Sequence, residues 1–123
     1  MATILLVDDD PQVQTALTIA LEQAGHQVSQ VNNGRQALRQ LRAQFVDLVI
    51  TDILMPEVDG LELIRLLRRE FPGTKILAIS GGAARLPGLD MLQLARALGA
   101  DRLLSKPSRN QELLSQITEL LSE

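Results

Sequence analysis

Five short apolar runs alternate with five longer amphipathic stretches, and this alternation constrains the fold more than any other feature of the chain. Ile4–Val7, Gln27–Val31, Leu48–Thr51, Lys75–Ile79 and Arg102–Ser105 have the length and the apolar or interleaved composition of strands. Pro11–Ala24, Arg35–Gln44, Gly60–Glu70, Leu89–Leu98 and Asn110–Leu121 place apolar residues at spacings of three and four, the signature of one helical face. In the first of these helices the face reads Val13, Ala16, Leu17, Ala20, Leu21 and Ala24. In the third it reads Leu63, Ile64 and Leu67.

The punctuation agrees with the periodicity. Asp10 before Pro11 is a cap acceptor followed by proline at the first helical position, where no amide hydrogen is needed. Gly25 and Gly99 end helices, Asn32-Asn33-Gly34 is a turn, Asp59 caps the third helix, and Phe71-Pro72-Gly73 breaks it. His26, directly after Gly25, reads as an exposed turn residue.

Alternating strands and helices predict an α/β fold with a parallel sheet and helices on both faces, joined by right-handed crossovers. With 123 residues, the expectation is one domain over 1–123. Composition narrows the function. There is no cysteine and one histidine, which excludes disulfides, thiolate chemistry and cysteine-based zinc sites. Phe45 and Phe71 are the only aromatic residues, so stacking platforms for flavins or bases have almost nothing to use. A net charge of −3 argues against direct nucleic-acid binding. The start, MATILLVDDD, has neither a basic lead-in nor a long apolar core, and no segment is long enough to span a membrane. The expected location is cytoplasmic.

In an open α/β sheet, ligands bind outside the C-terminal ends of the strands. There this chain places Asp8 and Asp9 after the first strand, Asp52 after the third, Ser80 after the fourth and Lys106 after the fifth. Three carboxylates brought together repel unless a cation neutralises them. Oxygen-only donors favour Mg²⁺, with Mn²⁺ or Ca²⁺ as related choices, over zinc or copper. Lysine and serine suit an arriving phosphoryl group, and an aspartate can be the nucleophile that takes it.

ILLVDDD, LVITDILMPEVDG, ILAISGG and LLSKP, in that order and each at a strand end, resemble the receiver domain of two-component response regulators, of the stand-alone chemotaxis-regulator type. The resemblance implies a five-stranded parallel sheet of order 2-1-3-4-5 with five helices, a flavodoxin-like, doubly wound arrangement. It implies Asp52 as phosphoacceptor, and Asp8, Asp9, Asp52 and the Leu54 backbone carbonyl around Mg²⁺, with Asp9 more direct than Asp8. It further implies Ser80 as the switch hydroxyl, Lys106 as the phosphate-contacting lysine, and a cis bond between Lys106 and Pro107. The donor would be a sensor histidine kinase or a histidine phosphotransfer protein. The receptor of the signal would be a downstream protein of unknown identity, reached by contact rather than through DNA or membrane.

The chain departs from that family twice. Leu103 stands three residues before the lysine, where an aromatic ring is frequent, and GGAARLPG after Ser80 is long and glycine-rich. Two other readings compete with the switch. A phosphatase with an aspartate nucleophile, of the haloacid dehalogenase type, needs a second aspartate two residues after the nucleophile; Ile53 and Leu54 follow Asp52. A non-phosphorylated interaction module would be expected to have lost one or more of the five site residues. The expectation is therefore a phosphorylation switch or relay rather than an enzyme in its own right.

Overall fold

The computed structural model describes residues 2–53, 60–80, 91–105 and 110–122, without the side chains of 80, 91–94, 105 and 110. The order of elements is β1 (Thr3–Val7), α1 (Pro11–Gln23), β2 (Gln27–Val31), α2 (Gly34–Ala43), β3 (Leu48–Asp52), α3 (Gly60–Glu70), β4 (Lys75–Ser80), α4 (Met91–Leu98), β5 (Arg102–Ser105) and α5 (Asn110–Leu121). The strands form one sheet in the order β2-β1-β3-β4-β5, and every pair is parallel. Each expected strand and helix is present. The ends of β3 and β4 extend one residue further, so that Asp52 and Ser80 are the last strand residues. Leu89, Asp59 and Pro107, named above as a helix start, a cap and a cis-bond partner, lie outside the described residues.

Alternation of side chains across the sheet divides the interior into two cores. Leu5, Val7, Val49, Ile76 and Ala78 face Ala37, Leu38, Leu41, Leu63, Ile64, Leu67 and Ala95 of α2, α3 and α4. Ile4, Leu6, Leu48, Ile50, Leu77 and Ile79 face Leu21, Leu113, Ile117 and Leu120 of α1 and α5. The strand residues are almost completely buried, and a fully buried aliphatic side chain contributes roughly 1.5–3 kcal/mol. No described helix is long and apolar enough to cross a membrane.

Local signals set the helix ends. Asp10 is extended and accepts a hydrogen bond from the Gln12 amide at 2.9 Å, with Pro11 next in line. Asn33, read above as part of a turn, also caps α2. Its side chain accepts from the Gln36 amide while the Gln36 side chain reaches back to accept from the amide of the preceding Asn32, a variant of the capping box. Gly99 ends α4 with a φ of 127°, where a β-carbon would be strained.

Two expectations need correction. The inner face of α1 is rotated from the predicted one: Ala16 and Ala24 are exposed, while Gln14 is buried beside Leu17 and Leu21. His26 is half-buried rather than an exposed turn residue, and its Nδ1 accepts the Ala2 amide at 3.2 Å. That bond requires the neutral imidazole, with its proton on Nε2.

The N-terminal edge of the sheet is tied across strands by side chains. Asp47 accepts the Thr3 amide at 2.9 Å, and its backbone exchanges bonds with Thr3 and Lys75. Arg68 donates to the Gly99 carbonyl at 2.7 and 3.0 Å and to the Asp101 carboxylate at 2.7 Å. Asp101 in turn accepts the Ile76 amide at 2.8 Å, so α3, β4 and the turn before β5 are locked together.

At the other edge the start of α3 packs directly on the end of β3. The Gly60 amide donates to the Ile53 carbonyl at 2.8 Å, and a β-carbon on Gly60 would collide with the Asp52 carbonyl and the Ile53 Cα. Gly73, by contrast, has nothing within 4 Å of that position.

Two predictions follow from these contacts. Gly60→Ala should cost about 1–3 kcal/mol, the range for overpacking, whereas Gly73→Ala should stay within about 0.5 kcal/mol of the parent. Urea midpoints at constant slope test the pair, and equal midpoints for the two variants would contradict it. For His26, burial first and then the positive amino terminus lower the pKa below 6.5. The unfolded chain therefore binds the extra proton first as pH falls, so stability is full above pH 6.5 and declines below it through the lowered value. An NMR titration of the single histidine should give a midpoint under 6.5, and a midpoint at or above it would refute the contact.

Candidate functional site

The strand order places β1 between β2 and β3, so the chain leaves β1 to one side and returns on the other. A crevice opens where the two connections part, at the C-terminal ends of β1 and β3. Val7 pairs with Thr51 at this edge, which brings the residues that follow β1 beside the last residue of β3.

Asp8, Asp9 and Asp52 meet there. One ligand oxygen from each lies within 4.8 Å of the others. Their exposures are graded: Asp8 is 3% exposed, Asp52 is half-buried and Asp9 is open to solvent. At such separations each pair of charges repels by roughly 1 kcal/mol in water and about 4 kcal/mol at an effective dielectric near 20. A divalent cation reverses the sign of that interaction, and an all-carboxylate donor set suits a hard cation. The cluster fits a metal ion on the chemistry of its donors.

Backbone and buried polar bonds fix the aspartates against this repulsion. Asp8 accepts the Asp10 amide on Oδ1 at 2.9 Å, and its own amide reaches the Val31 carbonyl at 3.3 Å. The Gln14 side-chain amide donates to the Asp8 carbonyl and to the Val31 carbonyl, each at 2.6 Å. Around Asp52, the fully buried Thr51 donates its hydroxyl to the Asp52 carbonyl at 2.9 Å. The next residue, Ile53, donates its amide to Ile79 at 3.0 Å and accepts from Gly60.

Of the residues singled out in the sequence, Asp8, Asp9 and Asp52 are brought together. Ser80 ends β4 at the same edge, in register with Ser105. Leu54 and Lys106 lie outside the described residues, as does the Gly81–Gly88 loop. Asp10 is the cap it was expected to be. Three supporting residues were not picked out: Gln14, Thr51 and Gly60. For Gln14 a signal existed, because it lies three residues before Leu17 and seven before Leu21, on one helical stripe with them.

Comparison with known proteins gives a consistent result. Residues 4–118 match the family model described as the response regulator receiver domain. The response regulator receiver protein CpdR of Brucella abortus is 37% identical over 121 residues, covering 98% of both chains. The transcriptional regulatory protein AfsQ1 of Streptomyces coelicolor is 34% identical over 98% of this chain, which spans 52% of that protein. The sensor kinase/phosphatase CqsS of Vibrio cholerae is 35% identical over 93% of this chain and 16% of its own length. Among solved structures, a CheY-like receiver domain protein from Methanospirillum hungatei superposes with a TM-score of 0.90 at 29% identity, covering 99% of this chain and 94% of that one. The chemotaxis regulator CheY4 of Vibrio cholerae gives 0.86 at 28% identity, with 98% of each chain covered. The donor set, the sheet order and the match over nearly the whole chain agree: this chain belongs to the response regulator receiver domain family.

Proposed function

We propose that Asp52 is the phosphoacceptor of this chain and that Asp8 and Asp9, with Asp52, hold Mg²⁺ beside it. Receiver domains of this family are signalling domains phosphorylated by sensor kinases, and the chain is a phosphorylation-dependent switch of that kind. The observation that carries the residue assignment is the convergence of the three carboxylates within 4.8 Å at the crevice between β1 and β3.

A carboxylate oxygen of Asp52 attacks the phosphorus of a phosphohistidine or a small phosphodonor. The P–N or P–O bond to the donor breaks, the leaving group keeps the electron pair, and an acyl phosphate forms on Asp52. Asp8, Asp9 and Asp52 would hold the divalent cation, Mg²⁺ or in its place Mn²⁺, and such an ion would offset charge on the transferring oxygens. The Leu54 backbone carbonyl would be a further ligand of the metal, and Lys106 and Ser80 would meet the phosphoryl oxygens. These three roles rest on the family resemblance. Asp8, nearly buried and bonded to the Asp10 amide, orients the cluster, while exposed Asp9 offers the more accessible ligand. The chain assists its own phosphorylation and dephosphorylation and passes the state on by contact with a partner protein rather than by binding nucleic acid.

Incubation with acetyl phosphate and Mg²⁺ should add one phosphoryl group that is labile to hydroxylamine. Asp52→Asn and chelation by EDTA should each abolish it, and Asp9→Ala should impair it more than Asp8→Ala. Label retained on Asp52→Asn would overturn the acceptor assignment, and label formed equally well in EDTA would overturn the metal.

The route by which the state leaves the site follows from Leu103. It is partly buried and packs on the core formed with α2, α3 and α4. A leucine has no hydroxyl to exchange partners and no planar ring to rotate into the site. The response to phosphate therefore concentrates in the Gly81–Gly88 loop and the start of α4, leaving β5 nearly unchanged. Backbone amide shifts with and without beryllium fluoride should move most at 81–88. Equal shifts at Leu103 and its β5 neighbours would contradict this route.

A further inference from the structure

Gln14 is the one charged or amide-bearing side chain of α1 that is buried, at 5% exposure, the other buried residues of that helix being Ala20 and Leu21. Burying an amide is unfavourable unless its hydrogen-bonding capacity is met. Here both donors of one nitrogen are used. Nε2 donates at 2.6 Å to the Asp8 carbonyl and at 2.6 Å to the Val31 carbonyl. Both partners are acceptors, so only the nitrogen of the amide can face them.

Those two carbonyls stand at the ends of β1 and β2, where the ladder between the strands runs out. The Asp8 amide still reaches the Val31 carbonyl, but at 3.3 Å. Gln14 therefore replaces the missing rung with a side chain delivered from α1. Its backbone is tied to the same turn, through the amide bond from Gln14 to the Asp10 carbonyl at 3.0 Å. Asp10 in turn donates its amide to Oδ1 of Asp8. Both the main chain and the carboxylate of Asp8 are thus held by a closed loop of bonds that passes through Gln14.

We propose that Gln14 is a positioning residue of the acidic site: it fixes the end of β1 so that Asp8 and Asp9 stay aimed at Asp52, and it thereby sets the affinity for the divalent cation. This rests on the metal reading given above. The chemistry explains why an amide stands there. A carboxylate in its place would oppose two carbonyl oxygens, an aliphatic chain would leave both without a donor, and a cationic side chain would add positive charge close to the three aspartates.

The test compares the intact chain with Gln14→Met, which keeps the length but lacks donors, and with Gln14→Glu as a second variant of the same shape. Ile117→Val, in the core between α1 and α5, serves as a control that lowers stability away from the site. Two quantities are read by NMR: the Mg²⁺ dissociation constant from amide shifts at Asp8, Asp9 and Asp52, and hydrogen exchange of the Asp8 and Asp10 amides without metal. The expected result is about tenfold weaker Mg²⁺ binding, the lower range for loss of a supporting contact. Faster exchange at Asp8 and Asp10 than in Ile117→Val should accompany it. If the parent binds Mg²⁺ and both Gln14 variants bind it equally well, the positioning role is overturned while the metal reading stands. If the parent binds no Mg²⁺, the metal reading fails and with it the proposed effect on affinity. Exchange then decides the remaining claim: protection at Asp8 and Asp10 matching that in Ile117→Val overturns the anchoring as well.

Discussion

Three carboxylates stay within 4.8 Å of one another only if the backbone carrying them cannot move apart. That constraint organises this end of the molecule. The sheet supplies the first part, because Val7 and Thr51 are paired in the ladder and the aspartates follow directly. Bonds made beyond the ladder supply the rest. Gln14 and the Asp10 amide hold Asp8, while Thr51, Gly60 and the bond from Ile53 to Ile79 hold Asp52. Each is a local contact worth about 1 kcal/mol. Together they oppose a repulsion of comparable size.

The opposite edge of the sheet is built differently. Its ties use charged side chains: Arg68 paired with Asp101, and Asp47 accepting the neutral Thr3 amide. Arg68 bridges to Gly99, whose φ of 127° and contact with the Arg68 side chain leave no room for a β-carbon. A planar guanidinium with donors in a fixed fork suits this role, since it serves a carbonyl and a carboxylate at once. At this edge a guanidinium meets a carboxylate, whereas at the other three carboxylates are gathered together.

The strands and helices were legible in the sequence because both of their periods depend on burial, and burial is written in apolar residues. The acidic site was legible for a related reason. In a parallel sheet all strands end on the same edge, so polar residues that follow apolar runs must converge. The rotation of α1 was not legible. The expected stripe is wholly apolar, whereas the observed inner face carries Gln14, whose amide meets the terminal carbonyls of β1 and β2, a pairing that apolar periodicity does not register. Ala16 was placed inside on periodicity alone, yet it is exposed. His26 was misplaced for the same kind of reason: nothing local announces that the Ala2 amide, 24 residues away in sequence, needs an acceptor. Nothing in the sequence marks Gly60 beyond its place at the head of the third helix, while its actual necessity is the carbonyl of Asp52 pressed against it.

The donors from Gln14, Asp10 and Thr51 that fix Asp8 and Asp52, and the Gly60 amide that holds the neighbouring Ile53 carbonyl, share one property: they are amides and a hydroxyl, all neutral. They set geometry without cancelling charge. Had the same carbonyls been held by arginine or lysine, the anchors would themselves bring positive charge to the cluster, and a divalent cation would gain less on arriving. Neutral anchoring keeps the carboxylates close without itself offsetting their charge, a task that a cation held between them would share. The same logic extends to the proposed phosphoacceptor. A phosphoryl group on Asp52 would add negative charge and strong acceptor oxygens to the cluster. Neutral bonds can therefore order the acidic site closely without themselves adding charge to it, which leaves its electrostatics to groups other than these anchors.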